Sequence, residues 1–476
     1  MNPRVEVELY ERIPSTKKAA SLSISRRQLF GIALAVVAGL SAYLIAADLT
    51  LAARYTLAIF AVAITLWITE AIPLVATAMV ILFLEIILLG LPGGPLGLEN
   101  TGYRIFLQPL FAPAVVLMLG GIVLSSALNK HGLDVIFAAA VLRVLPKTSG
   151  AVLAGFMVVT AFLSMWMSNT AATALMLAIL MPALKNLSDD DPLRGALVLS
   201  IPFSANLGGM ATPVGTPPNA IAIGALSQIG VRIGFLEWIK VSLPLTIVLL
   251  IITWLALMRI YPPKSRVVKV NMREVGQLNR TNIFILVILS LTVLLWLTTD
   301  LHGIPEAAIA IIPIIIFLAS RVLNRQDFNA LDWDVLIVIG CGLSLSTAFE
   351  QSGLSDVIVN LMQTGLLPLW QLILLAGTMS VLLSTIISHT AAISLLMPLV
   401  ISMGGAAVIP VAMGAALASS AGLGLPVSNA PNTLAYSTGL LSNKDMAKCG
   451  LFLSFVGTLL ITVLMLLWYG GEYLIP

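Results

Sequence analysis

Apolar residues fill the chain in long blocks separated by short polar turns. The blocks predict helices near 29–48, 52–70, 72–91, 114–143, 150–187, 193–228, 240–261, 281–299, 304–322, 333–361, 368–403, 406–440 and 446–470. Most are close to the ~20 residues that an α-helix needs to cross the hydrocarbon of a bilayer. The first, from about Leu29 to Ala47, is long enough to span and is followed by further spans, so it reads as a retained helix rather than a cleaved signal. Three blocks do not fit a single span. Those at 150–187 and 368–403 are too long and hold polar residues midway, and that at 193–228 is interrupted by "GGMATPVGTPPN". Irregular backbone survives at membrane depth only where protein or a water-filled cavity satisfies its polar groups. These blocks therefore predict re-entrant hairpins and unwound helices.

The pattern also repeats. "LSSALNKHGL" at 124–133 matches "LSTAFEQSGL" at 345–354, "SNTAATALMLAILMP" from Ser168 matches "SHTAAISLLMP" from Ser388, and "PVGTPPNAIAIG" from Pro213 matches "PVSNAPNTLAYSTG" from Pro426. Three matches in the same order divide the chain into two homologous halves, joined by a basic linker at 262–280.

Composition assigns the class. Of 476 residues, 59% are hydrophobic and 10% charged, and mean hydropathy is +1.03, where a soluble chain is about a quarter charged. The reading is an all-α polytopic membrane protein. Its net charge of +3 says less than where the basic residues lie. With the N-terminus in the cytoplasm and the two long blocks entering from opposite sides, twenty basic residues fall in cytoplasmic segments and four, Arg54, Arg104, Arg232 and Lys240, outside. The C-terminal "GGEYLIP" has no basic residue and suits the outside. Opposite entry makes the repeats inverted, the plan of many secondary transporters with a site at the midplane. Cys341 and Cys449 have no CxxC or metal-ligand spacing and read as small apolar residues.

Candidate chemistry lies where polar residues interrupt the longest blocks. In each half a triplet, Ser168-Asn169-Thr170 or Ser388-His389-Thr390, sits inside an apolar run. About 45 residues later follows a Gly/Pro-broken segment with Thr216, Pro218 and Asn219 in one half and Pro431 and Asn432 in the other. One such triplet could merely join helices, but its recurrence beside a broken helix points to a site. A hairpin tip presents helix N-termini, whose free N–H groups favour an anion, while free carbonyls at neighbouring helix ends suit a hard cation such as Na+. Neither triplet nor either Pro-Asn segment holds Lys or Arg, so an anionic substrate would be neutralised by dipoles, hydroxyls, amides and bound cations. Ser164 and Ser384 lie four residues before Ser168 and Ser388, on the same helical faces, and could add oxygen ligands as readily as they could simply pack.

"FLSMWMSNTAATALM" together with "SANLGGMATPVGTPPNAIAIG" resembles the signature of the divalent anion/sodium symporter family of di- and tricarboxylate, sulfate and phosphate transporters. The likeness runs through both repeats. It implies a homodimer in the plasma membrane in which a scaffold domain holds a transport domain that moves substrate by an elevator motion. On this pattern 1–28 is a cytoplasmic N-terminal segment, 29–145 and 281–365 form the scaffold, and 146–261 and 366–476 form the transport domain. Substrate would sit between the two triplets. Sodium would bind at the two hairpin tips, with Ser164, Ser168, Asn169 and Gly208 at the first and Ser384 and Ser388 at the second. In the second half His389 stands where the family has an asparagine, and "SNAPNTLA" replaces its Thr-Pro-Pro-Asn-Ala pattern, both resembling low-affinity phosphate permeases. Imidazole nitrogen is a poor match for Na+, although with an ordinary pKa near 6.5 it can donate to an anion or take up a proton.

The leading expectation is a secondary active transporter of small divalent anions, most readily di- or tricarboxylates, coupled to Na+, with the bilayer, the anion and the ion as partners and no nucleic acid. An inorganic phosphate or sulfate permease and a passive anion channel stand behind it. No organic cofactor is expected. An intramembrane hydrolase has only Ser388 beside His389 to recommend it, with neither GxSxG nor HExxH in the chain. His131 and His302 read as satisfied core residues. Glu70, Glu85, Glu350 and Lys130 are the other ionisable residues in or near apolar runs. For Glu350 and Lys130, close to helix ends, snorkelling or pairing within the scaffold is expected.

Overall fold

A computed structural model describes residues 25–99, 102–268, 276–362 and 367–473. The N-terminal segment up to residue 24 and the middle of the linker lie outside the described residues. The elements are α1 (Arg26–Ile45), α2 (Leu51–Thr69), α3 (Leu74–Leu88), α4 (Arg104–Leu107), α5 (Pro113–Lys130), α6 (Leu133–Val144), α7 (Ser149–Ser164), α8 (Asn169–Leu184), α9 (Leu193–Gly209), α10 (Pro217–Gln228) and α11 (Phe235–Ile260). After the linker follow α12 (Arg280–Leu297), α13 (Thr299–His302), α14 (Glu306–Ala319), α15 (Arg325–Asn329), α16 (Trp333–Gln351), α17 (Leu354–Met362), α18 (Leu369–Ile386), α19 (His389–Gly404), α20 (Val408–Ser420), α21 (Ala430–Ser437) and α22 (Asn443–Tyr473). Among the described residues there is no strand, only one isolated bridge between Thr148 and Val267. Among the described residues eight helices are long and apolar enough to cross a membrane.

Two blocks that read as continuous, 114–143 and 333–361, are each cut in two. Gly132 and Gly353 stand at the same place in the matched segments and adopt φ of 66° and 73°, a left-handed conformation that glycine reaches without steric cost. The amphipathic helices α6 and α17 turn away at these points. The run 150–187 is likewise two helices, α7 and α8, and 368–403 is α18 and α19.

The halves interlock reciprocally. The first-half helix α5 packs on α14, while its counterpart α16 packs on α3; α10 rests on α19, while its counterpart α21 rests on α8. Lys130 at the C-terminal end of α5 reaches Asp327, just before α16, at 2.6 Å, and donates to the Val322 carbonyl at 2.9 Å. The C-terminal end of α5 thus lies beside the N-terminal end of α16, as inverted repeats require. Lys130 is a cross-repeat pairing residue, as expected. His131 lies 3.2 Å from the Val322 carbonyl and His302 3.0 Å from that of Leu295, both satisfied by backbone.

The apolar clusters draw on both halves. One cluster, around Phe156, Met176, Leu180 and Phe203, binds α7, α8 and α9. Another includes Ile373, Met413, Leu417 and Met465 of α18, α20 and α22, and a third joins α2, α3, α16 and α19 through Trp67, Ile81, Phe349 and Leu395. Large apolar side chains also face outward, among them Phe30 and Leu44 on α1, Val287 and Leu294 on α12 and Phe455 and Leu467 on α22. Hydrocarbon, not water, suits those faces, because each helix satisfies its own backbone.

Candidate functional site

Both triplets begin a helix in the same way. Ser168 and Ser388 are extended (φ −60°, ψ 140° and φ −58°, ψ 145°), and their hydroxyl oxygens accept the backbone N–H of Ala171 and Ala391, each at 3.2 Å. Serine favours this N-cap position because its oxygen takes one of the N–H groups that a helix start leaves free. The remaining residues of each triplet occupy the first helical turn. Since each serine accepts with its oxygen, its own O–H stays available as a donor.

Reciprocal packing brings the two helix starts face to face. Ser168, Asn169, Thr170, Ser388, His389 and Thr390 line one cavity of about 600 Å³, together with Thr216 and Pro217 at the start of α10 and Asn429, Ala430 and Pro431 at the start of α21. Four helix N-termini therefore converge, each presenting the positive end of its dipole. Among the described residues no Lys or Arg lines the cavity. Met118, Trp166 and Val214 form an apolar wall, and Ser125, Ser126, Asn129, Asp332 and Asp334 lie on its α5 and α16 side. Burial, followed by the Asp334 carboxylate, raises the Asp332 carboxyl above the usual range.

Behind the first triplet lies a cluster of oxygens. Ser164 Oγ donates to Asn169 Oδ1 at 2.6 Å, and Asn169 Nδ2 donates to Asn206 Oδ1 at 3.2 Å. In this orientation Asn169 Oδ1 also faces the carbonyl oxygens of Gly215 and Ala205, each at 3.3 Å. Turning the carboxamide would satisfy those carbonyls but set its oxygen 3.2 Å from Asn206 Oδ1. Hydroxyl, amide and carbonyl oxygens gathered in this way form a set that suits a hard cation. The break between α9 and α10 closes so tightly on itself and on the first triplet that a Cβ on Gly215 would lie 2.4 Å from the Gly209 carbonyl, and one on Gly209 2.4 Å from Asn169 Oδ1. The Gly208 carbonyl accepts Ala211 N–H at 3.0 Å, and Gly208 seats α9 on α7, where a Cβ would lie 2.3 Å from the Ala161 carbonyl.

The second tip is arranged differently. Ser384 Oγ lies 2.9 Å from Ser419 Oγ, and Ser419 donates to the His389 carbonyl at 3.2 Å. His389 is buried, with Nε2 at 3.1 Å from the Gly422 carbonyl and 3.0 Å from Asn429 Nδ2.

Asn219 and Asn432 do not line the cavity. Asn219 Nδ2 donates to the carbonyls of Gly209, Met210 and Thr212 at 3.2, 3.3 and 2.7 Å. Asn432 Nδ2 likewise donates to those of Leu423 and Leu425 at 3.3 and 3.0 Å. Both hold their breaks in shape, because backbone that leaves a helix inside the protein needs new donors. Pro218 is buried beside Asn219, and Ser164 and Ser384 sit behind the triplets rather than on the cavity. Asn206 was not foreseen. It is fully buried, reaches the cavity, and links Asn169 towards Asn432 Oδ1 at 3.5 Å. Its signal in the sequence is an amide inside an apolar helix just before Gly208-Gly209.

Residues 27–474 match the family model for the sodium:sulfate symporter transmembrane region. The sodium-dependent dicarboxylate transporter SdcS of Staphylococcus saprophyticus is 31% identical over 465 residues, which cover 88% of this chain and 86% of that one. The protein of the same name from Staphylococcus aureus is 30% identical over 455 residues, 87% of this chain and 85% of that one. Among solved structures, the Alcanivorax borkumensis YdaH transporter superposes with a TM-score of 0.60 at 16% identity, over 84% of this chain and 98% of that one, a likeness of fold alone.

Proposed function

The chain belongs to the sodium:sulfate symporter family, a family of integral membrane transporters, and from that premise we propose that it is a Na+-coupled secondary active transporter of small dicarboxylates. The observation that carries the reading is the single cavity in which one Ser-x-Thr triplet from each half faces the other among four helix N-termini, with no Lys or Arg among the described lining residues. A dianion held there is met by the hydroxyls of Ser168, Thr170, Ser388 and Thr390 and by free N–H groups of the first helical turns, a set of partial charges only. Cations supply the missing whole charges. A Na+ among the oxygens of Ser164, Asn169, Ala205 and Gly215 favours the dianion and is favoured by it, which is the coupling a symporter needs. The apolar wall of Met118, Trp166 and Val214 suits the methylenes of a dicarboxylate better than an inorganic anion. Both staphylococcal relatives are named as sodium-dependent dicarboxylate transporters, in agreement with this choice.

The same reading takes 29–145 with 281–365 as a scaffold and 146–261 with 366–476 as a transport domain that moves against it like an elevator, in a homodimer. The protein lies in the plasma membrane with its N-terminus in the cytoplasm and its C-terminus outside, the orientation that the positive-inside rule favours. Purified protein in proteoliposomes, offered succinate, citrate, phosphate and sulfate with and without an inward Na+ gradient, tests it. Concentrative succinate uptake that needs Na+ is expected. Preference for phosphate or sulfate would replace the substrate reading, uptake unaltered by choline in place of Na+ would reject sodium coupling, and downhill flux without accumulation would indicate a channel.

A further inference from the structure

We infer that the second hairpin holds no sodium ion, because the imidazole of His389 fills the place that the cation takes at the first, so that each chain binds one Na+ where two equal halves would bind two. This rests on the sodium-coupled reading above.

The comparison is internal to the chain. Aligning "PVGTPPN" at 213–219 with "PVSNAPN" at 426–432 pairs Gly209 with Gly422, Gly215 with Ser428 and Thr216 with Asn429, and the triplets pair Asn169 with His389. Geometry supports the pairing. Asn219 caps the carbonyls of Met210 and Thr212, and Asn432 caps their counterparts, Leu423 and Leu425. The two breaks can therefore be compared position by position.

Three of those positions decide the outcome. Where Asn169 offers an amide oxygen to a cluster of oxygens, His389 offers a ring nitrogen lying between the Gly422 carbonyl and the Asn429 carboxamide. Nitrogen is a poor ligand for a hard monovalent ion. Where Gly215 lets the first break close on Gly209, Ser428 has a side chain, and its Oγ donates to the Leu425 carbonyl at 2.7 Å and accepts Asn432 Nδ2 at 2.9 Å. Where Thr216 offers a hydroxyl, Asn429 caps α21, accepting Asn432 N–H at 2.9 Å, and turns its Nδ2 to His389. Ser384, the counterpart of Ser164, is engaged with Ser419. A cation entering here would displace hydrogen bonds from each of these groups and gain no amide oxygen in return.

The test counts ions by linkage in the full-length purified protein without substrate. A ligand that binds only the folded state raises Tm with its concentration, and at saturation the rise per tenfold increase scales with the number of ions bound. Na+ is titrated against choline at constant ionic strength in the parent, in Asn169→Ala and in the triple variant His389→Asn, Ser428→Gly and Asn429→Thr, which restores all three positions. We expect a rise in the parent, none in Asn169→Ala, and about twice the parental rise in the triple variant. A rise of about half the parental size surviving in Asn169→Ala, or a triple variant that responds like the parent, would overturn this inference and leave sodium coupling standing. No response in the parent would overturn the sodium-coupled reading and this inference with it. Should Asn169→Ala fail to fold, the triple variant decides.

Discussion

At the scale of single residues, Thr170 and Thr390 are the cleanest probes, since each stands on the second position of its helix, lines the cavity and is partly or fully exposed to it. Thr170→Val and Thr390→Val keep the shape and remove one hydroxyl. Each is expected to weaken substrate binding by about 1 kcal/mol or more, roughly five-fold, because a substrate oxygen then goes unpaired; isothermal titration or uptake competition measures it. Asp332 and Asp334 act in the opposite sense, as two carboxylates with no ion-pair partner among the described residues, beside a cavity meant for an anion. At about 10 Å a dianion and one carboxylate repel by a few tenths to ~1 kcal/mol in water-like surroundings, so Asp332→Asn should tighten binding about two- to four-fold at low salt and have no effect near 1 M salt. Because the Asp332 carboxyl is raised above the usual range, its charge is present above that pKa and lost as pH falls through it, and acidification should give the same relief in the parent but not in the variant. The triplets were legible because polar residues inside apolar runs need a reason. Asp332 and Asp334 were not, since charges between two helices look like any loop until packing sets them on the cavity. Asn219 and Asn432 were legible as important, but only coordinates separate an amide that holds backbone from one that meets substrate.

Elements carry a different kind of information. The hydrophobic blocks gave the positions and order of the helical runs, but not the breaks at Gly132 and Gly353, because a glycine in an apolar run does not announce its φ. Nothing lies within 4 Å of a Cβ built at either position, so the cost of Gly132→Ala or Gly353→Ala is the backbone alone, about 1–2 kcal/mol. Thermal unfolding should show both variants destabilised to a similar degree, with asparagine in the same places milder. The start of the linker has its own fastening. Asp191 is buried and accepts Leu193 N–H at 3.0 Å, Lys264 N–H at 3.2 Å and Ser265 N–H at 2.9 Å, while Val268 N–H donates to the Lys147 carbonyl at 2.8 Å. Burial alone would push the Asp191 carboxyl up, but the hydrogen bonds from Ser265, Leu193 and Lys264 outweigh it and hold it below the ordinary range. Its neighbour Asp190 is held down to about 2, by Lys264 first and then the Ser188 hydroxyl. Groups depressed in the folded state contribute above their unfolded pKa and lose that contribution as pH falls through the folded one. The fastening is therefore expected to be intact at neutral and mildly acidic pH and to fail only as pH drops from about 4 towards 2. Limited proteolysis of the linker along a pH series checks this, and Asp191→Ala should reproduce the cleavage at pH 7, at a cost of about 1–3 kcal/mol.

For the whole molecule, the inverted repeat sets up two comparable routes to one site, and they are not equally open. Ser125, on α5, lines the large cavity with the triplets, whereas its counterpart Ser346, on α16, lines a separate cavity of about 200 Å³ with Glu350, Asp356 and Ser402. Asp334 and Glu350 stand at opposite ends of α16, sixteen residues and so about 24 Å apart, and the two cavities thus lie towards opposite faces of the protein. At the edge of the small cavity, Gln228 at the end of α10 donates to the Leu343 carbonyl and to Thr347 Oγ1, both at 3.1 Å, tying α10 to α16. An elevator predicts that these relations exchange. Cys341 and Cys449 are buried, so single cysteines can be read against the unmodified chain. A membrane-impermeant maleimide should label Ser125→Cys quickly from the face with the basic segments and Ser346→Cys slowly from the other face. Adding Na+ and succinate on that other face should change the second rate, and Gln228→Leu, which removes the tie, should raise it without substrate. Labelling of Ser346→Cys that responds to neither would mean that the halves do not trade places, and that substrate passes by some route other than a moving transport domain.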